Sequence, residues 1–209
     1  MTPNQKMVGE NGLQNALFPL QTLSCSRGSH KGDDYAYDFV GYINGVKTPD
    51  CPMYAPFDCK VVYKGKSSEK EPTIVWQSIE KVNFVNGEID YMCVSVSHDD
   101  NWQSYNIGDT RKQGEHFANT GETGYAFGDH THMICGKGKF NGFYTTPKGA
   151  YTLKNQYDMP ICLGVNDTVI RNTGGFTWTE FTPYIPPEPP TPKKDIMPLS
   201  LCGALKWSV

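Results

Sequence analysis

Long apolar runs are missing from this chain. No stretch of about 18 apolar residues occurs, so no transmembrane helix is expected. An excess of one charge is missing as well. The 19 Lys and Arg stand against 22 Asp and Glu, for a net charge of −3, which leaves no basic footprint for nucleic acid. The opening residues MTPNQKMVGENG are polar and lack the apolar centre of a secretory leader, so no signal peptide is expected. No Cys-x-x-Cys pair occurs among the seven cysteines, at 25, 51, 59, 93, 135, 162 and 202. They read as mostly free, half-buried thiols of a protein made in a reducing compartment, with Cys51 and Cys59 the best-placed pair if one forms. Internal repeats are absent, and no helical period of ten residues or more is visible.

The chain is rich in turn formers and aromatics: 21 Gly, 15 Pro, 12 Tyr, 10 Phe and 4 Trp. That composition predicts a mainly β protein: an antiparallel sheet domain with short strands, many turns, few short helices and an open groove. Residues 1–24 read as an N-terminal arm whose Ala16-Leu17-Phe18-Pro19-Leu20 can dock on a sheet. Residues 25–181 form the main domain. In Tyr35–Val40, alternation puts Asp34, Ala36, Asp38 and Val40 on one face and Tyr35, Tyr37 and Phe39 on the other. Further strands are expected over Pro56–Tyr63, Thr73–Ser78, Val82–Val85, Ile89–Ser97 and His116–Ala118. Asn86-Gly87 marks a hairpin, and Thr152–Asp158 is a candidate for a short helical turn. Residues 182–195 are a proline-rich, extended linker. Residues 196–209 are apolar but too few for a core, and read as a docking peptide.

The most informative stretch is Thr123–Cys135, which contains His130-Thr131-His132. Two histidines one residue apart face the same way only on a strand, because strand side chains alternate with period two. Gly128-Asp129 supplies a turn just before them. A catalytic zinc needs three protein ligands and an open position. His132 and His30 are candidates, with one carboxylate from Asp33, Asp34 or Asp38. Asp34 and Asp38 share a face but lie about 13 Å apart along a strand, so only one reaches the metal. Asp38 sits in an apolar strand and needs a partner if buried, whereas Asp34 sits in a turn where it can stay solvated. That contrast favours Asp38.

Several segments carry a resemblance. Ser29-His30-Lys31-Gly32 with Tyr37-Asp38-Phe39, Tyr54–Val61, Gly108-Asp109 with Gln113-Gly114, and Thr120–Gly124 followed by Gly128–His132 resemble, in order, the motifs of the lysostaphin-type zinc endopeptidases of peptidoglycan. The likeness spans roughly residues 25–140. Tyr-Ala-x-Asp-Phe-Val-Gly and Val-Ser-His-Asp-Asp-Asn are most similar to peptidase domains of small tailed bacteriophages. The gap from His30 to Asp38 is longer than the family's common His-x-x-x-Asp, which leaves the carboxylate open between Asp38 and Asp34.

The resemblance implies a single Zn2+ held by His30, Asp38 and His132, with His98 and His130 as catalytic residues beside it. Zinc acidifies water and polarises a carbonyl; a neutral His130 would take the water proton, and the other histidine would stabilise the oxyanion or protonate the leaving amine. No His-Glu-x-x-His occurs, so a glutamate base of that kind is not expected. Tyr35, Tyr37, Trp102, Tyr105, Tyr125 and Phe127 are candidates to line a groove for a peptide stem. His116 reads as a surface residue, and Glu122 as a solvated loop acid. The implied substrate is the peptide of bacterial peptidoglycan, and the implied setting is a phage: a virion tail tip acting at entry, or else an endolysin acting on the host wall. Other tail proteins are candidate partners of the C-terminal tail. Two other readings are a structural or wall-binding tail module without turnover, and a cysteine peptidase using Cys25 or Cys93, for which neither cysteine has a recognisable nucleophile context.

Overall fold

The computed structural model describes residues 1–66, 71–182, 184 and 185. The expected apolar C-terminal segment and nearly all of the proline-rich linker lie outside the described residues.

Nine strands form the main sheet: β1 (Thr22–Gly28), β2 (Ala36–Phe39), β3 (Cys59–Lys66), β4 (Pro72–Ser78), β5 (Met92–Ser97), β6 (Thr110–Arg111), β7 (Thr131–Lys137), β8 (Gln156–Tyr157) and β9 (Val169–Asn172). Their order is β6-β3-β4-β5-β7-β2-β1-β9, with β8 also paired to β7. All pairings are antiparallel except the last, β1 with β9. Small two-stranded sheets surround it, among them Pro52–Tyr54 with His116–Asn119. Helix among the described residues amounts to Met159–Cys162 and a 3-10 turn at Trp102–Ser104.

Strand alternation divides the sheet into two unequal faces. Tyr37, Phe39, Ile74, Trp76, Met92, Val94, Val96, Met133 and Cys135 point into the large core. Ala16, Phe18 and Leu20 from the expected arm pack in the same core, and Trp178 stands edge-on to Phe18 and Phe39. Between them, Ala36, Val75, Cys93 and Ile134 point the other way, into a smaller cluster with Leu153. Asp38 and His132 share the parity of Ala36 and Ile134, so they lie on this thinly covered face, where the sheet opens into a groove.

Some expectations shift. Thr152–Asp158 is not helical: Tyr151–Leu153 and Gln156–Tyr157 are strands, and the helix starts at Met159, where Pro160 presets its first turn. The expected Ile89–Ser97 strand is two strands. Ile89–Asp90 closes the Asn86-Gly87 hairpin on Val82–Asn83, and the sheet strand begins at Met92. β3 starts at Cys59 rather than Pro56, because Asp58 is held by Gln14 and Gln113 from outside the sheet. The six described cysteines are free and fully buried, so Cys51 and Cys59 are not joined.

Candidate metal centre and catalytic groove

Register builds the site. Opposite His132 on β7 stand Asp38 on β2 and Ser97 on β5, so His98 follows immediately beyond the end of β5. His130 precedes β7 and pairs through its backbone with Gly121. His30 lies in the turn between β1 and β2, which closes where Ser29 N donates to Ala36 O at 2.8 Å.

Asp38 is the hub. Its Oδ2 lies 2.8 Å from His30 Nε2 and its Oδ1 lies 3.0 Å from His132 Nδ1. The ligand atoms of these three residues all fall within 4.8 Å of one another. Bonds of about 2.0–2.1 Å at a tetrahedral ion put ligand atoms about 3.3 Å apart, so two nitrogens and an oxygen at these spacings fit zinc after small adjustments. The His30 and His132 rings lie 4.7 Å apart. His98 and His130 complete the cluster, 4.6 Å from each other, with His98 6.1 Å from His132. His130 Nε2 is 3.9 Å from Asp38 Oδ1. The five residues line one groove of about 380 Å³, with Arg27, Lys47 and Glu71 also on its walls.

Electrostatics follow from this packing. Burial pushes the Asp38 carboxyl up, but the bonds from His132 and His30 outweigh it and hold Asp38 well below the usual carboxylate range. Burial favours neutral His132, yet the bond to Asp38 and the charges of Asp38, Glu71 and Asp34 raise it overall. His98 goes the other way: burial lowers it to about 4, with the Thr123 carbonyl opposing and His130 and His132 adding to the fall.

Asp34 is not solvated, contrary to what its turn position predicts. It is 5% exposed and its Oδ1 has no hydrogen-bond partner among the described residues. Of the six aromatics weighed for the groove, Tyr125 and Phe127 line it. Tyr37 and Tyr105 are core residues, Trp102 packs against the core, and Tyr35 stands on a neighbouring cleft. His116 is on the surface beside Asn119, and Glu122 is exposed.

Several supporting residues escape a reading by motif. Asp99 accepts from Asn101 N at 2.7 Å, Asn119 N at 2.9 Å and Tyr105 Oη at 3.2 Å, which anchors the chain just after His98. Asp100 accepts from Glu122 N and Thr123 Oγ1, tying that segment to the loop before His130. Asp129 is buried, accepting from Asp50 N and Thr120 Oγ1. The Val-Ser-His-Asp-Asp-Asn run is the signal in which Asp99 and Asp100 lay.

No family model matches the chain. It is 34% identical over 178 residues to Morphogenesis protein 1 of Bacillus phage B103, covering 81% of this chain and 45% of that protein. The chain therefore spans about half the length of the curated relative it matches. Similar solved structures include a zinc-containing peptidase from Vibrio cholerae, at 18% identity and TM-score 0.41 over 62% of this chain and 42% of that one. Another is a putative peptidase M23 from Pseudomonas aeruginosa, at 19% identity and TM-score 0.36 over 65% and 48%. A third is lysostaphin, at 18% identity and TM-score 0.45 over 82% and 62%. The chain thus resembles zinc peptidases of the M23 and lysostaphin type among solved structures, and a Bacillus phage morphogenesis protein in sequence.

Proposed function

We propose that this chain is a zinc-dependent endopeptidase that cleaves peptide cross-links of bacterial cell-wall peptidoglycan. The observation that carries the reading is the convergence of His30, Asp38 and His132 with His98 and His130 in one open groove. His30 Nε2, an Asp38 oxygen and His132 Nδ1 would hold the ion. Bound zinc supplies Lewis acidity toward a carbonyl oxygen and acidifies water.

The chain's own groups handle the protons. His130 Nδ1 lies 2.8 Å from Gly128 O and His98 Nδ1 lies 3.0 Å from Thr123 O. A carbonyl only accepts, so Nδ1 carries the hydrogen in both rings. In the neutral rings Nε2 is then the free acceptor. One ring takes a proton during attack on the peptide carbonyl, and the protonated ring then returns it to the leaving amine. Tyr125 and Phe127, exposed at 62% and 89%, offer apolar contact to a peptide at the groove's edge.

The setting we propose is a phage virion, with the enzyme on the tail and opening the wall at entry; an endolysin is the alternative. The relative's name, a phage morphogenesis protein, supports assembly into a particle. Purified peptidoglycan is the test. Release of free amino groups that stops with chelator and returns with zinc supports the peptidase. A zinc-loaded chain that binds the wall and releases nothing would make it a wall-binding module instead.

A further inference from the structure

A second cleft, of about 360 Å³, lies beside the groove and is walled by Asp33, Asp34, Asp158, Tyr35, Tyr37 and Phe176. One turn contributes to both, His30 to the groove and Ser29 and Gly32 to the cleft. Asp33 has both oxygens engaged, by Thr146 Oγ1 and by Lys148 N, each at 2.8 Å. Asp158 accepts the Tyr37 hydroxyl on Oδ1. Asp34 differs from both, since it is buried and its Oδ1 has no partner. Among the described residues, no Lys or Arg lines the cleft; Lys148 Nζ is bonded to Gly32 O at 3.1 Å.

A buried carboxylate oxygen without a partner is costly, and one that lines an open cleft can be satisfied by a donor on a bound ligand. A hard divalent ion takes about six to eight oxygens, too many for a cleft whose Asp33 is spent and whose other wall is aromatic. An alkylammonium fits better. It has three donors on a point charge, and aromatic faces attract it. Here Tyr35, 45% exposed, and Phe176 supply rings, with the buried Tyr37 packed edge-on against Phe176 at 4.9 Å.

We infer that this cleft binds the side-chain ammonium of a diamino-acid residue in the peptide that lies in the neighbouring groove, with Asp34 as its counter-charge. The inference rests on the peptidase reading for its substrate, but the binding stands by itself.

Two measurements test it. In the first, the full chain is titrated with Nα-acetyl-lysine methylamide and with its Nε-acetylated analogue, followed by amide NMR. Saturable shifts at residues 29–37, 156–158 and 176 are expected with the free amine only. Asp34→Asn should abolish them while retaining zinc and the melting temperature, because the unpartnered oxygen makes no hydrogen bond that holds the fold. Tyr35→Ala, at a half-exposed position, should weaken them several-fold. In the second, KM is compared on cross-linked peptides with a free and an acetylated diamino side chain. The wild type should prefer the free amine by about tenfold or more, the worth of a hydrogen bond to a charged group, and Asp34→Asn should bring the ratio to about one. Equal shifts with both probes, unchanged shifts in Asp34→Asn, or an Asp34→Asn chain that loses zinc or stability would overturn the inference. Intact shifts in a chain that cuts no peptide would overturn the peptidase reading and leave the ammonium site standing.

Discussion

The Nδ1 of His98 lies 3.0 Å from the carbonyl oxygen of Thr123, and the amide of Thr123 in turn donates to the carbonyl of His98. This reciprocal pair fixes the ring's tautomer and aims Nε2 away from the loop. It also holds His98 at φ +75°, a left-handed conformation that costs a residue with a Cβ about 1–3 kcal/mol. Strain of this kind persists where surrounding bonds over-determine it, here those of Thr123, Asp99 and Asp100. His98→Ala and His98→Gly should each lower kcat by about a hundredfold to ten-thousandfold, the usual contribution of a positioned acid or base, with zinc content unchanged. His98→Gly should also be the more stable of the two, since glycine adopts that φ freely. Hydrolysis rates, metal analysis and urea unfolding of both variants check this. Equal kcat in wild type and variants would remove His98 from the chemistry.

Metal removal has a distinct signature. His30, Asp38 and His132 would share one ion, so loss of any should lower zinc affinity steeply while the sheet survives. Asp38→Asn is the sharpest case. An amide keeps the shape but cannot balance two histidines and a dication, and its nitrogen faces donors on the histidine rings. We expect His132→Ala and Asp38→Asn to purify with little zinc and no lytic activity. Zinc should raise the melting temperature of the wild type and leave that of the variants unmoved, because an ion that binds only the folded state stabilises it by mass action. Full zinc occupancy in His132→Ala would reject the ligand set.

Parts of this site are legible in the chain because strand alternation is. His130-Thr131-His132 and Tyr37-Asp38-Phe39 announce their faces, and the observed register sets His132 directly opposite Asp38. Other parts depend on tertiary contacts that no local pattern encodes. Asp34 looks solvated in its turn, yet the fold buries it. Tyr37 and Tyr105 look like groove residues, but a large ring gains more in the core, and both go there. β9, with all four side chains exposed, has no alternation to read, and its pairing with β1 comes from distant sequence.

Acid should weaken the metal-free protein in a defined window. His98 has an ordinary value of 6.5 and is held at about 4 by burial. Between those values the unfolded chain binds a proton that the folded chain refuses, so stability falls as pH drops from 6.5 and the loss is complete near pH 4. The difference amounts to about 3 kcal/mol. His132 acts elsewhere: raised by Asp38, it adds stability that is present below 6.5 and lost as pH climbs through its folded value. Asp38 loses its contribution only below about 3.8, its ordinary value. Urea unfolding of metal-free wild type and His98→Gln from pH 3.5 to 8 separates them. The two curves should run parallel above pH 7 and change their separation below 6.5, with the variant flatter; curves parallel throughout would show that His98 titrates alike folded and unfolded.

Gly121 sits between the segments that carry His98 and His130. Its backbone exchanges hydrogen bonds with His130, N to O at 3.0 Å and O to N at 3.1 Å. A Cβ at this position would collide with the carbonyl oxygen of His98 and come within 2.9 Å of the Asp100 nitrogen. Both are backbone atoms, so no side chain can swing aside. The space between the His98 and His130 segments is therefore set by a residue without a side chain. Gly121→Ala must push them apart, at a cost of about 1–3 kcal/mol in stability, as for other overpacked sites. The catalytic penalty should be larger than stability alone accounts for, since a misplacement of about 1 Å costs on the order of a hundredfold in rate. It should appear in kcat more than in zinc binding, because His30 and Asp38 stand on other segments and His132 is held in the sheet between Asp38 and Ser97. Substitution of Gly87, where the space is open, is the control: Gly87→Ala strains a left-handed turn and should lower stability without a matching fall in kcat. Equal kcat losses in the two variants would mean that the spacing at Gly121 does not govern the catalytic histidines.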